Sequence, residues 1–321
     1  MVPTKNPCIY IHEVSVRDGF QIEPEFIPTE QKVAMVNALS RTGVAKIEVT
    51  SFTSPKAIPG LADAEAVMGR IDRVPGVQYA ALVPNVRGCE RALACQVDEV
   101  NVVMSASQSH NVANLRMTPE QSLGQFADIA KLVDGKAFLN ASLSTAFGCP
   151  FEGQVPLSRV LEMIDRFSDI GIEGVTLCDT TGVGNPRQVM EVCLAVQDRW
   201  PAMVFTAHFH DTRGMGLANA LAALQAGIVR FDASLGGLGG CPFAPGASGN
   251  VCTEDLVHMF EAMGCDTGVD LDGLLDLARL LPDIVKHGVP GQVAKAGAST
   301  RRYPLPAGQG GAGQTAGAFC S

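Results

Sequence analysis

The sequence has no long apolar run, no basic cluster and no paired-cysteine motif, and each absence excludes a class of protein. No stretch reaches the roughly 18–20 apolar residues that span a bilayer, so we expect no membrane partner. Lys and Arg number 24 against 33 Asp and Glu, which argues against a nucleic-acid partner. The ten cysteines are scattered without a C-x-x-C pair, as in a reducing compartment. With no targeting pattern at the start, we expect a cytoplasmic protein.

Several common catalytic motifs are also missing. There is no P-loop, no H-E-x-x-H and no G-x-S-x-G, and the glycine cluster at 236–240 does not form G-x-G-x-x-G. What remains is a chain of 321 residues, 46% hydrophobic, which is enough to bury a sizeable core. The order of the predicted strands and helices and the polar residues dispersed along the sequence are therefore what indicate the class of protein.

Short β-branched runs alternate with segments of helical apolar spacing, such as 29–41 and 157–170. The predicted strands are 9–16, 46–52, 77–82, 99–104, 137–143, 174–178, 203–208 and 228–234. Eight such units within about 250 residues predict an α/β protein with a (β/α)8 TIM barrel, an open doubly wound sheet being the alternative. We expect additional helices over 253–287, one domain over 1–303 and a disordered tail over 304–321.

Polar residues follow several predicted strands, and in a parallel barrel these positions meet at one end. Asp18 follows the first strand, while His208 and His210 lie two apart on the seventh and so share a face. Two imidazoles with a carboxylate form a hard mixed site suited to Mg²⁺ or Mn²⁺, to which Asn250 could add an amide oxygen. The alternative is a hydrogen-bonded pair of core histidines.

Two further candidates accompany this set. Arg17 is either half of a salt bridge with Glu48 or a fixed cation that stabilises developing negative charge, and both are compatible because Glu48 could hold it in place. Cys241 lies in a glycine-rich turn after the eighth strand. A reactive thiol and a small buried hydrophobe both remain open for it.

Taken together, these residues resemble the DRE-TIM metallolyase superfamily and, within it, the hydroxymethylglutaryl-CoA lyase family. The resemblance covers about 11–296. The matching motifs are RDGxQ at 17–21, EVTSFxSPK at 48–56, FGCPFEG at 147–153, HxHDT at 208–212 and GLGGCPFAxGASGN at 237–250. The last is the most specific, since it contains a cysteine and an asparagine that the family uses.

The resemblance implies a TIM-barrel carbon–carbon lyase of the kind used in leucine degradation. Such an enzyme splits an acyl-CoA thioester substrate at its C2–C3 bond in a retro-Claisen reaction, and a homodimer is expected. The divalent cation, Mg or Mn, would be held by Asp18, His208, His210 and Asn250. The resemblance also implies that Arg17 would stabilise the enolate oxygen and that Cys241 would take part in proton transfer. Asp179 would orient the acid/base group. Glu48 completes, with Arg17 and Asp18, the Arg/Asp/Glu set that defines the superfamily.

The candidate substrate-binding positions are Gln21, Ile22, Asn140 and Ser142, and part of this set departs from the family pattern. The family usually has arginine and tyrosine on the fifth strand, where this chain has Asn140 and Ser142. Because metal and cysteine positions are retained, the change concerns the acyl substrate more than the reaction. A citramalyl-CoA-like substrate is therefore an alternative. A Claisen-condensing synthase and a non-catalytic metal-binding barrel are more distant ones.

Overall fold

The computed structural model describes residues 7–240 and 249–304, and its eight parallel strands close into a barrel in chain order. The strands are β1 (Tyr10–Glu13), β2 (Lys46–Ser51), β3 (Gln78–Leu82), β4 (Glu99–Ser105), β5 (Phe138–Ser144), β6 (Gly174–Asp179), β7 (Val204–Phe209) and β8 (Arg230–Ala233). Strand β8 pairs with β1, which closes the barrel. The prediction of a TIM barrel is confirmed, and the open sheet is excluded.

Helices connect the strands and surround the barrel. They are α1 (Thr29–Leu39), α2 (Ala64–Met68), α3 (Val86–Ala94), α4 (Gln108–Leu115), α5 (Pro119–Val133), α6 (Leu157–Ile170), α7 (Pro186–Arg199), α8 (Gly216–Gln225), α9 (Thr253–Ala262), α10 (Leu271–Val285) and α11 (Val293–Ala296). The helices α9 and α10 correspond to those predicted over 253–287. None of the described helices combines the length and the apolar character needed to cross a bilayer. The predicted tail, beyond residue 304, lies outside the described residues.

The barrel has an apolar outside and a polar inside. On β2, Ile47 and Val49 belong to the hydrophobic core that packs beneath the helices. Lys46 and Glu48 alternate with them and point into the barrel, because successive strand residues face opposite sides. Lys46 donates to Glu99 of β4 at 2.7 Å inside this space. The interior is thus lined by bonded polar groups instead of the branched apolar residues usual in such barrels.

The first strand is shorter than the predicted 9–16, because it ends at Glu13 and a turn of π-helix follows over Ser15–Gly19. The buried Glu13 carboxylate is the physical reason. It accepts hydrogen bonds from the backbone N–H of Ser15 at 2.8 Å and of Leu235 at 3.0 Å, and from the Thr253 hydroxyl at 2.7 Å. These bonds turn the chain across the mouth of the barrel, so Arg17 and Asp18 lie on this turn and not on a strand.

Candidate metal centre

Asp18, His208 and His210 come together at the carboxyl-terminal end of the barrel. One ligand atom from each lies within 4.8 Å of the other two. The two imidazole ring centres are 5.3 Å apart, although His210 lies one residue beyond β7, in a bridge with Asn250. The side chains predicted to share a face therefore do so, and the π-helical turn supplies the carboxylate.

Asn250 lies directly beside this group. Its Nδ2 donates to Asp18 Oδ2 at 2.7 Å and to the backbone oxygen of Leu238 at 2.9 Å. The packing is tight, because a Cβ added to Gly239 would lie 2.5 Å from Asn250 Nδ2 and 2.9 Å from Asp18 Oδ2. Gly239 also has φ +105°, in the left-handed region that favours glycine. The backbone at Gly239 therefore lies so close to Asp18 and Asn250 that only glycine fits at this position.

The donor set fits a divalent cation. Within the described residues, Asn250 Oδ1 and His210 Nδ1 are buried and have no hydrogen-bond partner. Unpaired buried polar atoms are costly, and a bound cation with its ligated water is one way to satisfy them. Burial and the neighbouring His208 lower the pKa of His210 to about 4, so this ring is neutral at physiological pH, as a ligand must be. Oxygen and imidazole donors without a thiolate suit Mg²⁺ or Mn²⁺.

Arg17 forms ion pairs with both Glu48 and Asp18 at the barrel mouth. Burial alone would lower the pKa of Arg17, but the Glu48 and Asp18 carboxylates outweigh it and raise that pKa. Burial likewise favours protonation of Asp18, yet Arg17 and the two imidazoles hold its pKa below the ordinary value. The site therefore contains a permanent cation beside an ionised carboxylate. The predicted salt bridge between Arg17 and Glu48 is confirmed, and the role of Arg17 as a cation that stabilises developing negative charge stays a prediction.

A chain of hydrogen bonds inside the barrel connects Glu48 to the predicted substrate positions. Glu48 Oε1 accepts from Asn101 Nδ2 at 2.8 Å. Asn101 Oδ1 accepts from Asn140 Nδ2 and from the Ser142 hydroxyl, each at 3.0 Å, and Asn140 also donates to the Thr176 hydroxyl at 3.0 Å. Asn140 and Ser142 are thus buried partners in the network that holds Glu48. Asn101 was not predicted, although its alternation with apolar neighbours on β4 is a signal for an inward polar group.

Asp232 on β8 is a further site residue that the sequence interpretation missed. Its carboxylate accepts from His12 Nδ1 at 3.0 Å and pairs with His208 Nδ1 at 3.3 Å. These interactions, with the charge of Lys46, outweigh burial and hold the pKa of Asp232 well below its usual range. Burial and Lys46 lower the pKa of His12 to about 4, so His12 is neutral. Strand periodicity places Asp232 inward, but only barrel closure brings it to His12.

The other two predicted substrate positions directly follow the π-helical turn. Gln21 is half-buried and Ile22 is 44% exposed. Neither lies in the interior network of Asn140 and Ser142. The four predicted substrate positions therefore divide into a pair at the rim and a pair inside the barrel.

Asp179, at the end of β6, accepts hydrogen bonds from the loop that follows, and its role in orienting an acid/base group stays a prediction. Its Oδ1 accepts from the backbone N–H of Val183 at 2.9 Å, and Oδ2 accepts from that of Gly184 at 3.0 Å. Burial raises the pKa of this carboxyl despite these bonds. Asp179 thus holds the loop after β6 in shape. Cys241, the remaining predicted catalytic residue, lies outside the described residues.

A parallel (β/α)8 barrel with imidazole, carboxylate and guanidinium groups gathered at its carboxyl-terminal mouth defines the class of metal-dependent TIM-barrel enzymes. Comparison with known proteins narrows this class. The family model described as HMGL-like matches residues 8–281, and the chain belongs to that family. The resemblance stated from the sequence motifs is thereby confirmed.

Individual relatives agree with the family. The chain is 48% identical over 287 residues to a hydroxymethylglutaryl-CoA lyase of Bacillus subtilis, covering 88% of this chain and 94% of the relative. It is 40% identical over 302 residues to an (R)-citramalyl-CoA lyase of Chloroflexus aurantiacus, and the match covers 90% of this chain and 95% of the relative. Among solved structures, the chain resembles a hydroxymethylglutaryl-CoA lyase of Acinetobacter baumannii in complex with coenzyme A and 3-methylmalate. The TM-score is 0.91 at 47% identity, and the match covers 95% of this chain and 100% of the other. The predicted carbon–carbon lyase class is confirmed.

Proposed function

We propose that this lyase cleaves hydroxymethylglutaryl-CoA, or a close 3-hydroxyacyl-CoA, to acetyl-CoA and a keto acid. The observation that carries the proposal is the cluster of Asp18, His208 and His210 beside Arg17, in a chain of this family. Relatives named as hydroxymethylglutaryl-CoA lyases support the substrate.

The reaction breaks one carbon–carbon bond and moves one proton. The C3 hydroxyl loses its proton, C3 becomes a carbonyl, and the electron pair of the C2–C3 bond passes to C2 to form the enolate of acetyl-CoA. Protonation of C2 then completes acetyl-CoA, so the proton removed from the hydroxyl balances the one gained at carbon. A divalent cation, when bound, supplies a Lewis acid that acidifies the hydroxyl and polarises the acid oxygens.

The residues of the chain supply the rest. Asp18, His208, His210 and Asn250 would hold the cation, and Mg²⁺ or Mn²⁺ suits these oxygen and nitrogen donors. Arg17 would stabilise the enolate oxygen, because a fixed buried cation opposes developing negative charge without reorganising. Glu48 would keep Arg17 in place through their ion pair. Cys241 would take part in the proton transfer that completes acetyl-CoA at C2, a role supported by its position in the GLGGCP motif.

A second substrate is favoured by a specific observation. The positions where the family usually has arginine and tyrosine are the buried Asn140 and Ser142, which bond to Asn101 inside the barrel. Asn140 and Ser142 are smaller than arginine and tyrosine and carry no positive charge, so this chain would offer different groups to the acid end of the substrate. The Chloroflexus relative named as an (R)-citramalyl-CoA lyase supports this second substrate, which would give pyruvate in place of acetoacetate.

A panel of 3-hydroxyacyl-CoA thioesters, scored for acetyl-CoA release with Mg²⁺ or Mn²⁺, tests the proposal. We expect turnover of hydroxymethylglutaryl-CoA or citramalyl-CoA, and kcat/KM decides between them. A single methylene is worth only about 1–3 kcal/mol of discrimination, so activity on both is compatible with the proposal. If none of the thioesters is cleaved, the proposal is overturned in favour of a condensing synthase or a non-catalytic barrel. Cytoplasmic location and a homodimer stay predictions.

A further inference from the structure

The carboxylate of Asp232 lies between two imidazoles. His12 Nδ1 is 3.0 Å from Oδ1, and His208 Nδ1 is 3.3 Å from Oδ2. His12 and His208 are buried and Asp232 is largely so, with side-chain exposures of 6%, 9% and 11% for His12, His208 and Asp232. One of these imidazoles belongs to the candidate metal centre, while the other, on β1, does not.

We propose that Asp232 is a positioning residue for the metal centre, and that His12 is the group that positions Asp232. The inference rests on the proposed metal site, of which His208 is a member. An ionised carboxylate only accepts hydrogen bonds, so the Nδ1 of His208 must carry a proton. In the neutral ring, the form that binds a metal, Nε2 is then bare and can bind the cation. Carboxylate partners of this kind fix the tautomer and orientation of metal-binding histidines.

His12 completes the arrangement. A neutral imidazole can donate one hydrogen bond, and the Nδ1 of His12 gives it to the oxygen of Asp232 that His208 does not use. This bond fixes the Asp232 carboxylate through the oxygen not bonded to His208, and the neutral His12 adds no charge to the site. It also joins β1 to β8 inside the barrel, so the position of the carboxylate depends on closure of the sheet.

The experiment measures Mn²⁺ binding to the metal-free full-length protein by titration calorimetry, with no substrate present. In Asp232→Asn, the amide can accept from only one imidazole and directs its N–H groups at the other. We expect the Kd for Mn²⁺ to rise about 10- to 100-fold, the usual cost of losing such a partner. Nitrogen-15 NMR of the labelled histidines provides the second readout. His208 should carry its proton on Nδ1 in the wild type and shift to Nε2 in the variant.

Two changes at His12 keep the proposal testable should Asp232→Asn fail to fold. His12→Asn keeps an N–H near the position of Nδ1 and should retain Mn²⁺ affinity within about 2-fold, whereas His12→Leu removes the donor and should weaken binding several-fold. Tyr79→Phe is the matched control. It deletes a buried hydroxyl that donates a hydrogen bond to Ser40 Oγ, with 3.0 Å between the two oxygens. Neither residue belongs to the candidate metal centre. Tyr79→Phe should lower Tm without changing the Kd.

The outcomes separate the possible failures. Unchanged Mn²⁺ affinity and an unchanged His208 tautomer in Asp232→Asn would overturn the positioning role. Equal affinities for His12→Asn and His12→Leu would overturn the role of His12. Wild-type protein that binds no Mn²⁺ would overturn the metal centre itself, and with it this inference. Because no substrate is used, a wrong acyl-CoA assignment would leave the result unaffected.

Discussion

At Arg17, the effect of the positive charge can be tested separately from the effect of the planar guanidinium geometry. Its guanidinium reaches Glu48 through Nε and Asp18 through Nη1, so two planar donors are engaged at once. Arg17→Lys keeps the charge but loses this geometry. We expect kcat to fall about 10²- to 10³-fold, since that is the usual cost of one preorganised donor to an oxyanion, with Mn²⁺ affinity nearly unchanged.

Steady-state kinetics and calorimetry on the same preparations check this expectation. Arg41→Lys is the matched control, because Arg41 forms an exposed ion pair with Asp72 on the surface. It should leave both quantities unchanged. Wild-type turnover in Arg17→Lys would show that Arg17 is only half of a salt bridge.

Gly239 offers a second test at the same scale. Its positive φ and its contacts with Asn250 and Asp18 leave no room for a methyl group. Gly239→Ala should displace these side chains and weaken Mn²⁺ binding by at least 10-fold, as judged by calorimetry. Gly124→Ala, within α5 and with open space around the added Cβ, should bind Mn²⁺ normally and gain about 0.5–1 kcal/mol of stability. Equal Mn²⁺ affinities would contradict the close-approach argument.

At the scale of elements, Glu254 connects α9 to the barrel mouth. Its Oε2 accepts from the backbone N–H of Gly236 at 3.0 Å, while Oε1 is buried without a partner among the described residues. Burial raises the pKa of Glu254 from 4.5 to about 7. Between these values the folded protein holds the proton more tightly than the unfolded chain does. The free energy of unfolding therefore falls as pH rises through this window, by up to about 3 kcal/mol.

Glu254→Gln removes this titration while keeping an acceptor for Gly236. Urea denaturation at pH 5, 6, 7 and 8 should show the variant losing less stability than the wild type as pH rises, and exceeding it at pH 8. Glu90→Gln, which changes an exposed carboxylate, should follow the wild-type profile. Parallel curves for Glu254→Gln and the wild type would show that another group controls this pH range.

At the scale of the whole molecule, the candidate metal centre brings together residues that follow the first and the last strands of the barrel. Asp18 follows β1, His208 lies next to the last residue of β7, and Asn250 comes after β8, so a cation bound between them would tie together elements far apart in sequence. Binding to the folded state alone adds about 2.7 kcal/mol of stability at a concentration 100 times the Kd. We expect Mn²⁺ to raise Tm by a few degrees and EDTA to reverse it. Asp18→Asn should abolish the shift in calorimetric scans, and a full shift in that variant would remove Asp18 from the metal ligands.

Local patterns were enough to predict much of this molecule. Strand and helix periodicities are properties of neighbouring residues, and they located eight strands and the helix over 157–170. The spacing of His208 and His210 likewise predicted a shared face, because side chains two apart on a strand point the same way. The RDGxQ and GLGGCP motifs carried the family resemblance, and they too are short stretches of chain.

The tertiary structure decided what depends on distant parts of the chain. The Asp232–His12 contact spans 220 residues, and it exists only because β8 closes onto β1. The turn that carries Asp18 depends on Glu13 reaching Leu235 and Thr253, so the residues of the first strand alone could not show where it ends. A single strand reveals which side chains point inward. Which inward side chains meet is set by barrel closure and by the pairing of strands across it.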